Sequence, residues 1–250
     1  MIDTCTIHWV GGELPQVGKS WCTRALVETL SLWEGIIPIV IDTSPTPTMS
    51  QIYNPQLLMT HHPQSYFTPA GIQECLPDAI VDLAMTHGVA IVKLATQSQR
   101  LFLNWMGESS ICNTPIEQHF WFVSDGRKES HRYFPQIYNY PWRLHYVQNL
   151  HGGRIPIVAQ AKQFEIHHLP STLSHPQEIT AIEQSQRPLI DLQCDPNYNS
   201  LSRIRLDRFL KQSHHNLWIT TPLMSPTPPP STVITTATAV EEEEEEEIPF

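Results

Sequence analysis

The sequence predicts an α/β fold, with a mostly parallel sheet and helices on both faces. Three observations lead there. Ile36–Ile41 and Val89–Leu94 are short runs with almost no polar residue, as strands buried on both faces are. Segments with apolar residues three and four apart alternate with such runs. A Gly or Asp often marks the change from one kind to the other, as at Gly35, Asp42 and Gly88.

Thr6–Val10 opens the chain as a short strand, and Gly11–Ser20 reads as a loop. Lys19–Glu34 is a helix on which Cys22, Ala25, Leu26, Thr29, Leu30 and Trp33 share a stripe. Ile36–Ile41 is the next strand, ended by Asp42. Thr43–Pro77 is rich in Pro, Thr, His and Gln and predicts loop, with one short helix near Thr48–Tyr53. Asp78–His87 is helical, Val89–Leu94 is a strand interrupted only by Lys93, and Gln97–Glu108 is helical. His119–Ser124 and Leu144–Asn149 are strands with a short helix between them, and Glu165–Leu169 is a further strand. Gln177–Gln186 and Leu201–Gln212 are the last helices. Asp125 sits in Ser-Asp-Gly and reads as a turn.

From Thr220 to Val240 the chain is Pro/Thr/Ser-rich and uncharged, and is expected to be a disordered linker. Residues 1–219 are expected to form one domain, and 241–250 an acidic tip. The 250 residues carry 25 acids and 15 bases, and seven of the acids are Glu241–Glu247. The folded part is therefore close to neutral and lacks the basic footprint of a nucleic-acid binder. The five cysteines are scattered and form no CxxC, which suits reduced thiols in a cytoplasmic protein. No apolar run is long enough to span a bilayer, and no leader is apparent. The pairs His61-His62, His167-His168 and His214-His215 place neighbours on different faces, so none by itself forms a metal set. The tryptophans Trp21, Trp33, Trp105, Trp121, Trp142 and Trp218 are expected to pack in the core or between helices. Arg203, Arg205, Arg208 and Lys211 are expected to form a solvated basic face.

Gly18-Lys19-Ser20 follows a strand and opens a helix, as in a phosphate-binding loop. The loop Gly11-Gly12-Glu13-Leu14-Pro15-Gln16-Val17-Gly18-Lys19-Ser20 resembles the GGEKGGVGKS loop of the deviant-Walker P-loop superfamily, which includes MinD, ParA and CobQ/CobB proteins. The branch it most resembles is that of mobilization and conjugal-transfer ATPases. Later segments resemble the family's strand ends in the same order: PIVIDTSPTPTMSQIYNP, VAIVKLATQSQRLFLNW, FWFVSDGRKES and LHYVQN. The resemblance implies a three-layer P-loop NTPase-like fold. It implies nucleotide contacts from Val17, Gly18, Lys19, Ser20, Trp21 and Asn149, and Mg²⁺ held by Ser20 and Asp42. A nucleotide-dependent homodimer is also implied.

The departures are Leu14 for the family's signature lysine, Pro15 and Gln16 for two glycines, Ser44 for the water-positioning acid and Lys93 for a strand-end acid. The missing groups are those that stabilise transition-state charge or place the attacking water. The expectation is a protein that binds ATP or ADP weakly and hydrolyses it slowly or not at all. The alternatives are an active ATP-hydrolysing switch and a ligand-free scaffold.

The ending EEEEEEEIPF resembles the acidic tip of bacterial single-stranded-DNA-binding protein. That resemblance implies docking of Ile248, Pro249 and Phe250 on replication and repair proteins. Direct membrane binding is not expected, and direct nucleic-acid binding is expected to be weak or absent.

Overall fold

Alternation of side chains along β1 (Cys5–Gly11) sets the layers: Ile7 and Trp9 enter one core, and Val10 enters the other. The computed structural model describes residues 5–55, 67, 77–127, 129, 134–138, 140–149, 164–171 and 175–218. They belong to one unit, Met1–Thr220. The linker and tip expected after 219 lie outside the described residues, as do His61 and His62.

Five further strands complete the sheet: β2 (Ile39–Asp42), β3 (Val89–Lys93), β4 (Ile116–Ser124), β5 (Arg143–Asn149) and β6 (Glu165–Leu169). The order is β2-β3-β1-β4-β5-β6, and every pairing is parallel. Helices lie on both faces. With α1 (Lys19–Trp33) come α2 (Met49–Tyr53), α6 (Pro176–Ser185), α7 (Leu189–Cys194) and α8 (Ser200–Trp218). They bury Leu26, Leu30, Ile52, Ile182, Leu192 and Phe209 against Val10, Ile91, Val123 and Val147. On the other face are α3 (Asp78–His87), α4 (Gln99–Glu108) and α5 (Phe134–Ile137). Ile80, Phe102, Met106 and Ile137 meet Ile7, Trp9, Phe120 and Tyr146 there.

The α/β expectation therefore holds, with the whole sheet parallel. Element ends differ where a local rule was missed. Ile36 and Ile37 stay outside β2, and Ile37 is 86% exposed. Pro38 precedes the strand and has no N–H to donate to a ladder, so apolarity alone overran the pairing. Helix α7 joins α6 to α8. Helix α8 runs to Trp218, six residues past the expected end, because Ser213 and Leu217 are buried. Three members of the expected basic face have partners. Arg203 donates to the Gln193 carbonyl, and Arg205 and Lys211 pair with Glu178 and Asp207. Trp121 and Trp142 are core residues, whereas Trp33 is 39% exposed and stacks on His214. The described cysteines Cys5, Cys22, Cys112 and Cys194 are free thiols. No helix among the described residues is long and apolar enough to cross a membrane.

Candidate functional site

β1 lies between β3 and β4, so the chain leaves the sheet in opposite directions on its two sides. The crevice beyond the carboxyl end of such a strand is where open α/β sheets bind ligands. A cavity of about 610 Å³ lies there. Gly18, Lys19, Ser20 and Trp21 line it, together with Lys93 and Asn149.

The loop from β1 to α1 is built on close approaches. A Cβ at Gly12 would stand 2.5 Å from the Val123 carbonyl oxygen of β4, so only glycine fits. Gly18 has φ 106°, and a Cβ there would lie 2.6 Å from Asn149 Nδ2. Asn149 in turn donates to the Val17 carbonyl at 3.0 Å, tying the end of β5 to the loop. Gln16 also has a left-handed backbone, φ 60°, where the resemblance expects glycine. Such a conformation costs a non-glycine residue about 1 kcal/mol or more. The loop thus retains positive φ in a residue that pays for it.

Lys19 is buried, and its three ammonium donors go to the Gly12 carbonyl (2.9 Å), the Leu14 carbonyl (3.1 Å) and Thr96 Oγ1 (3.2 Å). Burial, and secondly the nearby Lys93 ammonium, lower its pKa to about 8. Ser20 is half-buried beside it. Leu14, half-buried, packs its side chain against the α1-side core.

The resemblance assigns Asp42 to Mg²⁺. In the structure its carboxylate has other partners. Lys93 Nζ reaches both oxygens at 3.1 Å, and the amides of Ser44, Thr48 and Met49 donate to them at 3.1 Å. Lys93 also reaches Ser44 Oγ at 3.1 Å. Asp42 and Lys93 are both buried, and β2 and β3 place them side by side in register. Asp42 therefore has no acceptor left for a metal's water shell, and Lys93 supplies the positive charge at that place. Mg²⁺ does not fit at Asp42 in this arrangement; Ser20 alone keeps the expected kind of ligand. Sequence reading noted Lys93 only as a missing acid. Its pairing with Asp42 was invisible because the two lie 51 residues apart. Thr96, which receives Lys19, carried no signal.

Trp21 stands edge-on to Phe209 of α8 at 5.6 Å, and with Leu169 and Pro170 these rings give the cavity an apolar wall. Asp125 makes the expected turn, accepting from the Arg127 amide at 3.1 Å. Strand alternation holds at His167-His168, where His167 is buried and His168 exposed.

No protein-family model matches the chain, and no curated protein matches it.

Proposed function

We propose that this chain is a degenerate nucleotide-binding protein of the P-loop kind, which holds ATP or ADP without efficient turnover. The observation that carries the reading is the pair of buried ammonium groups, Lys19 and Lys93, on the wall of one cavity at the switch point of the sheet. Lys93 disfavours the charge of Lys19, and a bound polyphosphate relieves it. The amino end of α1 supports it. This 15-residue helix has neither a side-chain cap nor an acid in its first turn, so its leading amides remain available to an anion. Trp21 and Phe209 offer the base an apolar wall. With Lys93 on Asp42, affinity depends little on Mg²⁺. Leu14, Ser44 and Lys93 stand where the family has its signature lysine, its water-positioning acid and its strand-end acid, which argues against efficient turnover.

In the cell we read the protein as a cytoplasmic accessory factor in mobile-element partition, mobilization or DNA processing. Its last residues dock on replication or repair proteins. A nucleotide-dependent homodimer is a further part of this reading. Calorimetry with ATP and ADP, with and without Mg²⁺, tests the site. Binding in the micromolar range or weaker is expected, lost in Lys19→Ala. Fast hydrolysis that disappears in Lys19→Ala overturns the pseudoenzyme reading. For the tip, a peptide ending Glu-Glu-Glu-Ile-Pro-Phe should displace the tip of single-stranded-DNA-binding protein from one of its partners, and should fail without Phe250.

One observation favours a second reading. All three Lys19 donors already have acceptors within the protein, so the loop is complete without a ligand. A ligand-free scaffold gives no binding heat with either nucleotide, while the fold remains intact.

A further inference from the structure

Four histidines from four adjacent strands lie across the α1 face of the sheet. His8 and His119 are directly opposite in β1 and β4, and His145 and His167 follow on β5 and β6. All four are buried. Trp121 Nε1 donates to His8 Nδ1 at 3.1 Å, and the Trp121 ring stacks on His145 at 3.9 Å. Beyond His8 the imidazoles join end to end. His119 Nδ1 lies 2.9 Å from His145 Nε2, and His145 Nδ1 lies 3.0 Å from His167 Nε2. The two ends meet acceptors. His167 Nδ1 faces the Asn216 carbonyl of α8 at 2.8 Å, and His119 Nε2 faces Glu117 Oε1 at 2.9 Å.

Proton counting exposes a mismatch. Four contacts join three imidazoles to a carbonyl at one end and a carboxylate at the other. Each contact needs one proton between its atoms, and three neutral imidazoles carry only three. If the three N–H groups are donated by His167 to Asn216, by His145 Nε2 to His119 and by His119 to Glu117, the gap between His145 Nδ1 and His167 Nε2 holds two facing lone pairs. Into that gap comes a third donor. Glu165 Oε2 lies 3.4 Å from His145 Nδ1 and 3.5 Å from His167 Nε2.

We propose that His145 Nδ1, His167 Nε2 and Glu165 Oε2 form a binding site for one divalent transition ion of borderline softness, zinc first. The triangle has edges of 3.0, 3.4 and 3.5 Å. Ligands about 2.0–2.1 Å from a tetrahedral zinc stand roughly 3.3–3.4 Å apart, so the three atoms are already spaced as one coordination face. A His₂Glu set suits zinc and its neighbours rather than magnesium or calcium. With the ion in place every imidazole is neutral and every outer N–H has an acceptor. His167 is oriented by the Asn216 carbonyl, and His145 through His119 by Glu117, as ligating histidines generally are. Burial holds His145 and His167 below the usual imidazole range, which favours the neutral, ligating form. Arg143 pairs with the other Glu165 oxygen and fixes the carboxylate. The side chain of Glu165 is 28% exposed and gives the fourth position, a water, its route to solvent. Sequence analysis missed the set because it sought ligands within one element; strand pairing assembles it from two.

The test uses the untagged full chain, stripped with a chelator and titrated with Co²⁺ and then Zn²⁺. One equivalent of Co²⁺ should give the visible absorption of a tetrahedral site, displaced by Zn²⁺, and elemental analysis should return one zinc per chain. Glu165→Gln keeps the shape and should weaken binding at least tenfold. His168→Ala, on the opposite side of β6, should leave it unchanged. His145→Ala and His167→Ala should abolish it if they fold. A folded wild-type chain that takes up no stoichiometric ion overturns the proposal and leaves the gap to a shared proton. Uptake that is equal in Glu165→Gln overturns it too.

Discussion

Two buried polar regions share the α1 side of this sheet, and they settle their charges differently. At the carboxyl end, Lys93 and Asp42 neutralise each other and Lys19 is enclosed by loop oxygens. Across the middle of the strands, three imidazoles run from a carbonyl to a carboxylate through four contacts, one more than three neutral rings have protons for. The lesson is that burial of polar groups does not by itself mark a site. The first region meets its charges with internal partners, whereas the second is where we place a cation. Resemblance leads to the first region, and only geometry reveals the second.

The largest effect should come from breaking the internal neutralisation. Lys93→Met leaves Asp42 charged and buried without a countercharge, which should cost about 3–5 kcal/mol in urea unfolding. A loss below 1 kcal/mol would mean that water already reaches Asp42, and the contrast between the regions would weaken. The same variant frees the Asp42 carboxylate, so any nucleotide binding it retains should become Mg²⁺-dependent.

The next effect is one of pH. The folded pKa of Lys19, about 8, lies below the ordinary lysine value. Between that pH and about 10.5 the unfolded chain binds more protons at this residue than the folded one. Stability must then rise with pH across that window, by up to roughly 3 kcal/mol from this group. The signature is a difference: wild type should gain more stability than Lys19→Met between pH 8 and 10. An anion at Lys19 raises its pKa, so binding above pH 8 should take up a proton, visible by calorimetry in buffers of unequal ionisation heat.

These expectations show what the sequence carried and what it did not. β1, α1, α3 and β3 were legible because periodicity and a terminal glycine or acid coincide, as at Gly88. Gly18 and Lys19 were legible as a loop because they lie between a strand and a helix, whereas the bond from Asn149 to that loop was not legible. Ile36 and Ile37 misled because apolarity says nothing about whether Pro38 allows a ladder bond. The Lys93–Asp42 pair and the Glu165, His145 and His167 triangle depend on register between strands. Register between parallel strands is set by the packing of whole layers, which no local window contains.

The imidazole region should respond more gently to loss of one bond. Trp121→Phe keeps an aromatic ring against His145 but leaves buried His8 Nδ1 without its donor. A cost of about 1–3 kcal/mol is expected, read from thermal or urea unfolding. A neutral result would mean that the His8 tautomer adapts. The smallest effect belongs to the exposed surface, which belongs to neither region. Asp207→Asn removes the i,i+4 pair with Lys211 and should change stability by no more than about 0.5 kcal/mol.

The place of β1 in the sheet also bears on how the chain is made. β1 is an interior strand that is synthesised well before either of its partners, β3 and β4. Thr6 awaits Val89, and Cys5 awaits Ile116. At about 5–20 residues per second, the wait for the second partner is roughly ten seconds. Through that interval Ile7, Trp9 and Val10 lack the neighbouring strands that flank them in the folded sheet. A nascent chain arrested before β4 should therefore hold a chaperone on β1, and one arrested beyond β4 should let the chaperone go.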